Sequence, residues 1–505
     1  MGLLLIWSVA SIVYVIAVVI YRAFLHPLSR IPGPFLASVT YLYQYYYNIF
    51  CKTSSFYLQI EKLHHQYGPV VRISPHEVHL SDPAHHQTIH RVGTKYTKDP
   101  AYYQTSFVSS MSMFTTQDNA LHRARRSALA PLFTRARVLE LEPIVQSKVS
   151  KLCKRVQEQL ASSQPVDLYH AVRCISLDTI TEYAFDNCRN LLDTPDLAAA
   201  TLDAVKKGQP RLWELQLFPW IVKLWQAPKW VLNIVSPTTA NFLARRAVID
   251  AQVRDVERRV NAGEKPADNR RTIFHQLLDP NAGDGHVVPP IEALSDEAGI
   301  LVAAAGETVG ISLTMGFYRV LADETVREKL MAELNAAIPN PEVEMKFAEL
   351  ERLPYLTAVL KESLRLAFPL PGRLPRVVPE GGADFDGYHI PAGMAVSMSQ
   401  WMQHRNETIF PDPMAFEPGR WLSEMGKGSG GPDDYLIAFG RGSRVCLGMT
   451  LAWCELYVTL GTVMRKFGDR LKLSNGISEE DFYPLDDYVT SWPRDDAKKL
   501  AVVGK

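Results

Sequence analysis

The sequence predicts a mainly α-helical fold with a small β-rich lobe, preceded by one N-terminal transmembrane helix. Three observations carry this expectation. Leu3 to Ile20 is an uncharged apolar run long enough to span a bilayer. From about Leu121 to about Leu366 the apolar residues recur with a helical period, broken by Pro and Gly clusters. Short stretches of alternating apolar and polar residues flank that region on both sides.

The N-terminal run has no basic residue before it, which a cleaved signal peptide would carry, and it is followed by Arg22, His26 and Arg30. The positive-inside bias then places the rest of the chain on the cytosolic side, where the Asn406-Glu407-Thr408 sequon would stay unglycosylated. Residues 21–50 read as a linker with a Pro-rich hinge at Ile31-Pro32-Gly33-Pro34, and residues 51–505 as the globular domain. Val71-Arg72-Ile73 and Val78-His79-Leu80 alternate around Ser74-Pro75-His76-Glu77, which predicts a hairpin with one buried face. A second strand region is expected around Ala383 to Val396, then a loop-rich stretch, then a helix from Leu447. Gly426 to Gly431 reads as a mobile surface loop. Between Leu212 and Trp230 the chain is crowded with Trp and Leu, which suits either core packing or a surface that dips into the membrane.

Composition bounds the function. A chain of 505 residues, 47% hydrophobic, can bury a large core. Lys plus Arg and Asp plus Glu each number 54, so nothing in the charge points to a nucleic acid. The six cysteines are scattered, with no CxxC pair, which argues against a disulfide framework or a zinc site. Five of them read as small buried hydrophobes. Cys446 stands apart because of its surroundings.

Residues 439 to 448 read Phe-Gly-Arg-Gly-Ser-Arg-Val-Cys-Leu-Gly. The segment resembles the haem-binding signature FxxGxRxCxG of the cytochrome P450 family at every fixed position. A chance match in a chain this long is expected about once in ten thousand sequences. Gly440-Arg441-Gly442 also opens like a dinucleotide loop, but the third glycine is missing and that reading fails. Three further stretches resemble family motifs in the required order. Unlike the ExxR copies at Glu324–Arg327 and Glu349–Arg352, Glu362-Ser363-Leu364-Arg365 precedes an apolar Pro-rich run, Phe368 to Pro371, and then Arg373 and Arg376. Phe416-Glu417-Pro418-Gly419-Arg420-Trp421 resembles FxPERW, with Gly419 in place of Glu. Ala304-Ala305-Gly306-Glu307-Thr308 resembles AGx(D/E)T, with Ala305 in place of Gly, and mid-helix Gly306 suggests room for a ligand or a kink. Finally, Leu121 to Arg126 resembles the WxxxR helix, with His122 in place of Trp.

The resemblance implies a cytochrome P450 fold behind the transmembrane helix, holding haem b through Cys446 as axial thiolate ligand of the iron. Phe439 would shield the sulfur, and Gly440, Gly442 and Gly448 would let the backbone approach the ring. Arg444, Arg376, Arg126 and His122 would meet the propionates, leaving Arg123 and Arg125 as a solvated basic face. Glu307 and Thr308 would deliver protons, and Glu362, Arg365 and Arg420 would brace the cysteine loop. The family's activity is that of an oxidoreductase, a monooxygenase that inserts one atom of dioxygen into an apolar small molecule. Its partner would be an NADPH-cytochrome P450 reductase, and its place the endoplasmic reticulum membrane, single-pass, with the catalytic domain cytosolic. Tyr102 to Phe114, Gly299 to Thr308, Pro369 to Leu374 and the Tyr488 to Trp492 turn would line the pocket. The hairpin wording VRISPHEVHLSDP is similar to filamentous-fungal members that tailor terpenoids or polyketides in secondary metabolism. An oxygen-independent isomerase or dehydratase and a non-catalytic haem sensor are the rival readings. The first can dispense with proton delivery by a Glu307-Thr308 pair, and the second needs neither an apolar pocket nor a reductase surface.

Overall fold

The computed structural model describes residues 2–505 except 52–54, 108–110, 219–220, 222–229, 233–236, 267–269, 283–286, 423–429 and 484. Most of the glycine-rich stretch from Gly426 and most of the tryptophan-rich segment therefore lie outside the described residues. The two ends of the latter that are described differ: Trp213 is fully buried and donates to Asp487 O at 2.7 Å, whereas Trp230 is exposed.

Apolar helix α1 (Gly2–Ile20) runs on through a π-helical turn, Tyr21–Leu25, and its described side chains are exposed along most of its length. Leu4–Leu25 is long and apolar enough to cross a membrane, with mean hydropathy 2.5. The apolar helix thus extends five residues past the expected end at Ile20. The linker expected over 21–50 is no free hinge. Leu28 and Ile31 are buried among strand residues Val70 and Val78, and Arg72 N donates to Pro32 O at 2.7 Å. A Cβ on Gly33 would overlap the Arg72 carbonyl, so only glycine allows the chain to lie this close.

The β-lobe is a five-stranded sheet of β1 (Val70–Arg72), β2 (Glu77–Leu80), β3 (Thr97–Lys98), β4 (Arg376–Val377) and β7 (Ala395–Ser397), in the order β1-β2-β7-β4-β3. A two-stranded hairpin, β5 (Ala383–Phe385) with β6 (Tyr388–Ile390), fills the second expected strand region. In β1–β2 both faces are buried, unlike the one-faced hairpin expected. Arg72 is inside, donating to Arg22 O and Pro75 O, each at 3.0 Å, and His79 is inside against His64 at 2.8 Å.

The helical body centres on α9 (Ile291–Ala322), the longest helix described. Its closest neighbour is α6 (Leu168–Phe185), with α11 (Pro354–Ala367) and α12 (Met449–Phe467) on its other sides. The α6 contact is close because two glycines receive two side chains at matching i, i+4 spacing. A Cβ on Gly306 would lie 2.8 Å from Leu177 Cδ2, and one on Gly310 would lie 2.5 Å from Arg173 Cγ. The room Gly306 leaves is therefore taken by the next helix, not by a ligand. Gly310→Ala is expected to cost about 1–3 kcal/mol by overpacking, read as a lower thermal midpoint.

Candidate active site

The loop before α12 presents Cys446. Its N–H donates to Phe439 O at 2.8 Å, closing a tight bend. Gly440 and Gly442 hold φ of +66° and +68°, which favours glycine. At Gly442 a Cβ would overlap the carbonyl of His90, the last residue of α3 (Ala84–His90), so the close approach is to this helix end. Phe439 packs on Trp453 with ring centroids 5.7 Å apart. Cys446 is the exposed member of the six cysteines, yet burial raises its thiol pKa. The thiol thus sits at an opening closely ringed by protein. The Gly448 N–H and the Arg126 charge oppose burial and favour the thiolate.

The same kind of opening marks α9. Ala303 and Ala304 are exposed in the middle of an otherwise buried helix, and Thr308, one turn on, is half-buried with Oγ1 donating to Ala304 O at 2.8 Å. Glu307 does not join Thr308. Arg173 of α6 holds both its oxygens, at 2.9 and 2.5 Å, and also lies over the Tyr169 ring at 3.7 Å. Burial raises the Glu307 carboxyl, and the guanidinium pulls it back. Nothing in the motif spacing indicated Arg173, although it is the lone arginine of an apolar helix, and that was a usable signal.

Cations gather near this loop. Arg126 Nη1, on α4 (Asn119–Leu129), donates to Val445 O at 2.7 Å. Arg444 donates to Thr116 O at 2.7 Å, and to Gln117 O and Asn119 Oδ1 at 2.8 Å. Arg376 reaches Tyr103 Oη at 2.8 Å. Lys98, absent from the motif reading, joins them: it donates to Phe114 O and lies 4.4 Å from the Tyr103 ring centre. Among the described residues none of these four forms an ion pair with a carboxylate. Burial, then Arg376 and Arg444, depress Lys98 well below its usual range, and burial, then Arg376, lowers Arg444 to about 10. His122 is pushed down to about 3 by burial and these cations, so it is a neutral ring. Arg125, expected in solvent, instead turns in to Thr116 Oγ1 at 2.5 Å.

Behind the loop, Glu362 gathers its donors. Arg365 meets its two oxygens at 2.8 and 2.7 Å, Arg420 Nε reaches Oε1 at 3.1 Å, and Trp421 Nε1 reaches Oε2 at 3.0 Å. With Gly419 in place of Glu, Glu417 Oε1 itself accepts the Gly419 N–H at 2.9 Å and firms the turn. Arg365 also donates to His404 O at 2.9 Å. His404 Nε2 accepts the Ile437 N–H at 3.0 Å, which leaves Nδ1 to donate to Arg365 O at 3.0 Å. Both contacts need the neutral ring, and burial holds its pKa down to about 3. The unfolded chain takes up this proton near pH 6.5 and the folded one does not. Stability should therefore fall below pH 6.5, by up to about 1.4 kcal/mol per pH unit from this group, until about pH 3. Thermal midpoints across that range test it.

The family model described as cytochrome P450 matches residues 32–490. The chain belongs to the cytochrome P450 family.

A cytochrome P450 monooxygenase of Ascocoryne sarcoides, MO6277, is 34% identical, over 98% of this chain and 97% of its own length. A second, macH of Penicillium terrestre, is 33% identical over 92% and 90%. The N-acetyltryptophan 6-hydroxylase ivoC of Emericella nidulans is 31% identical over 98% and 96%. The fold is that of the crystal structure of the cytochrome P450DA haem domain, with TM-score 0.72 at 17% identity, covering 94% of this chain and 97% of that one. This P450 is accordingly an oxidoreductase of the monooxygenase class, similar to fungal enzymes of secondary metabolism. P450 enzymes hold haem iron through a cysteine thiolate, and the residues here suit that group. One thiol is accessible, and cations that are buried or partly buried, and that pair with no carboxylate among the described residues, match two propionates in sign.

Proposed function

We propose that this P450 is anchored through α1 and oxidises an apolar small molecule, a terpenoid or polyketide intermediate of secondary metabolism, by hydroxylation or epoxidation. The observation that carries this reading is the accessible Cys446 thiol beside cations that, among the described residues, pair with no carboxylate. Bound there, haem supplies the activation of dioxygen. Arg126, Arg376, Arg444 and Lys98 would hold its propionates, His122 would add a neutral N–H, and Phe439 with Trp453 would keep water from the sulfur. Thr308 Oγ1 stands at the helix opening and passes protons inward; Glu307 joins only when its pair with Arg173 parts. Tyr102, Phe114, Leu370, Leu374 and Val489 pack into one apolar cluster, which supports an apolar substrate. Electrons come from NADPH through a separate reductase at the endoplasmic reticulum membrane, with the catalytic domain cytosolic. The Emericella relative is an N-acetyltryptophan 6-hydroxylase, which supports hydroxylation as the reaction type.

Microsomes holding this protein and a reductase, fed a metabolite extract of the source organism under heavy-isotope dioxygen, should yield a product carrying one labelled oxygen. A rearranged or dehydrated product without label would replace this reading with the isomerase or dehydratase one. Thr308→Ala should divert most NADPH consumption to hydrogen peroxide; unchanged coupling would remove Thr308 from proton delivery.

A further inference from the structure

Two neighbouring acids of α9 leave their own helix to hold one loop. Asp296 Oδ2 accepts the Met111 N–H at 3.2 Å, and Glu297 Oε2 accepts the Met113 N–H at 2.6 Å. Between them Ser112 turns inward, fully buried, with its hydroxyl 2.8 Å from Thr115 Oγ1. The other end of the same segment belongs to the cysteine loop, because Thr116 O and Gln117 O accept from Arg444. Residues 111–117 thus form a strap from the middle of α9 to the loop of Cys446. Phe114, in the middle of the strap, packs in the apolar cluster and lies 5.6 Å from the Tyr103 ring.

The placement of the acids ties the strap to the site. Glu297 precedes Ala304 and Thr308 by two and three helical turns, so it shares the face that carries these accessible residues. Asp296 pairs through its other oxygen with Arg246 of α8 (Pro237–Asn261), so a further helix is held by the same residue. Among the described residues Glu297 forms no ion pair, and burial lifts its carboxyl to about 7 against the pull of the Met113 N–H, Arg125 and Lys98. A buried acid spent on one loop amide is costly unless the loop's position matters.

We propose that Asp296 and Glu297 are specificity-determining positioning residues, which fix the strap over the haem pocket and set how readily a bulky apolar ligand passes. This rests on the haem reading above. The test uses the full-length, haem-loaded protein and two iron-binding probes, imidazole and the bulky azole clotrimazole, followed by stopped-flow haem absorbance. Glu297→Ala and Asp296→Ala should each speed clotrimazole entry and release by about tenfold, the scale of one charge-assisted hydrogen bond, and leave imidazole unchanged. Glu297→Gln keeps an acceptor oxygen and should return the rates to within about threefold of the parent. Unchanged clotrimazole rates, equal acceleration of both probes, or identical behaviour of Ala and Gln would each overturn the proposal. If Glu297→Ala fails to load haem, Met113→Pro removes the N–H from the other side and must give the same acceleration. The carbon-monoxide spectrum of the parent protein tests the haem reading separately, since its loss there leaves no azole signal to compare.

Discussion

Cys446→Ser is expected to abolish the red-shifted carbon-monoxide band that marks a thiolate opposite the gas. Product formation should fall at least about a hundredfold, equivalent to about 2.7 kcal/mol of barrier. A neutral hydroxyl lacks both the charge and the electron donation of the sulfur. The Gly448 N–H and Arg126, which favour an anion here, would then face a group that cannot ionise. Cys454→Ser is the matched control, since that cysteine is fully buried among core residues on α12. A serine variant at 446 with the band intact would move the iron ligand elsewhere and undo the assignment.

Glu362→Ala is expected to have the second largest effect, on folding rather than chemistry. The carboxylate accepts from Arg365, Arg420, Trp421 and the Glu417 N–H, and neither Glu362 nor Arg365 has any exposed surface. Removing it strands the buried Arg365 charge, at a cost of about 3–5 kcal/mol. That is a large share of the roughly 5–15 kcal/mol that holds a folded domain together. Purified protein should show a thermal midpoint lowered by several degrees and a haem-to-protein ratio well below the parent's. Full haem loading at parental stability would mean that Glu362 does not brace the loop.

These two sites were legible from the chain because each is carried by short local spacing. Phe439 to Gly448 is one continuous loop, and Glu362 and Arg365 are three residues apart on a helix face. What the chain concealed is held by partners far away in sequence. Arg173 and Glu307 are 134 residues apart, and Glu297 and Met113 are 184 apart. A helical period shows which face of α9 is apolar but not which acid on it finds a guanidinium and which a loop amide. The β1–β2 hairpin makes the same point. Arg72 and His79 were expected in water from alternation alone, and both are inside because backbone carbonyls and His64 receive them. Gly306 was expected to leave room for a ligand or a kink, and Leu177 of α6 fills the space beside it instead.

The stretch between the apolar helix and the first strand has a practical meaning. Arg72 reaches back to the carbonyls of Arg22 and Pro32, and Gly33 admits its backbone. The N-terminal segment is thus stitched to the catalytic body as a collar. Shortened forms prepared for crystallisation should keep that collar, beginning near Arg22; trimming to residue 51 would uncover Leu28 and Ile31's seat in the sheet and yield aggregates in place of soluble enzyme.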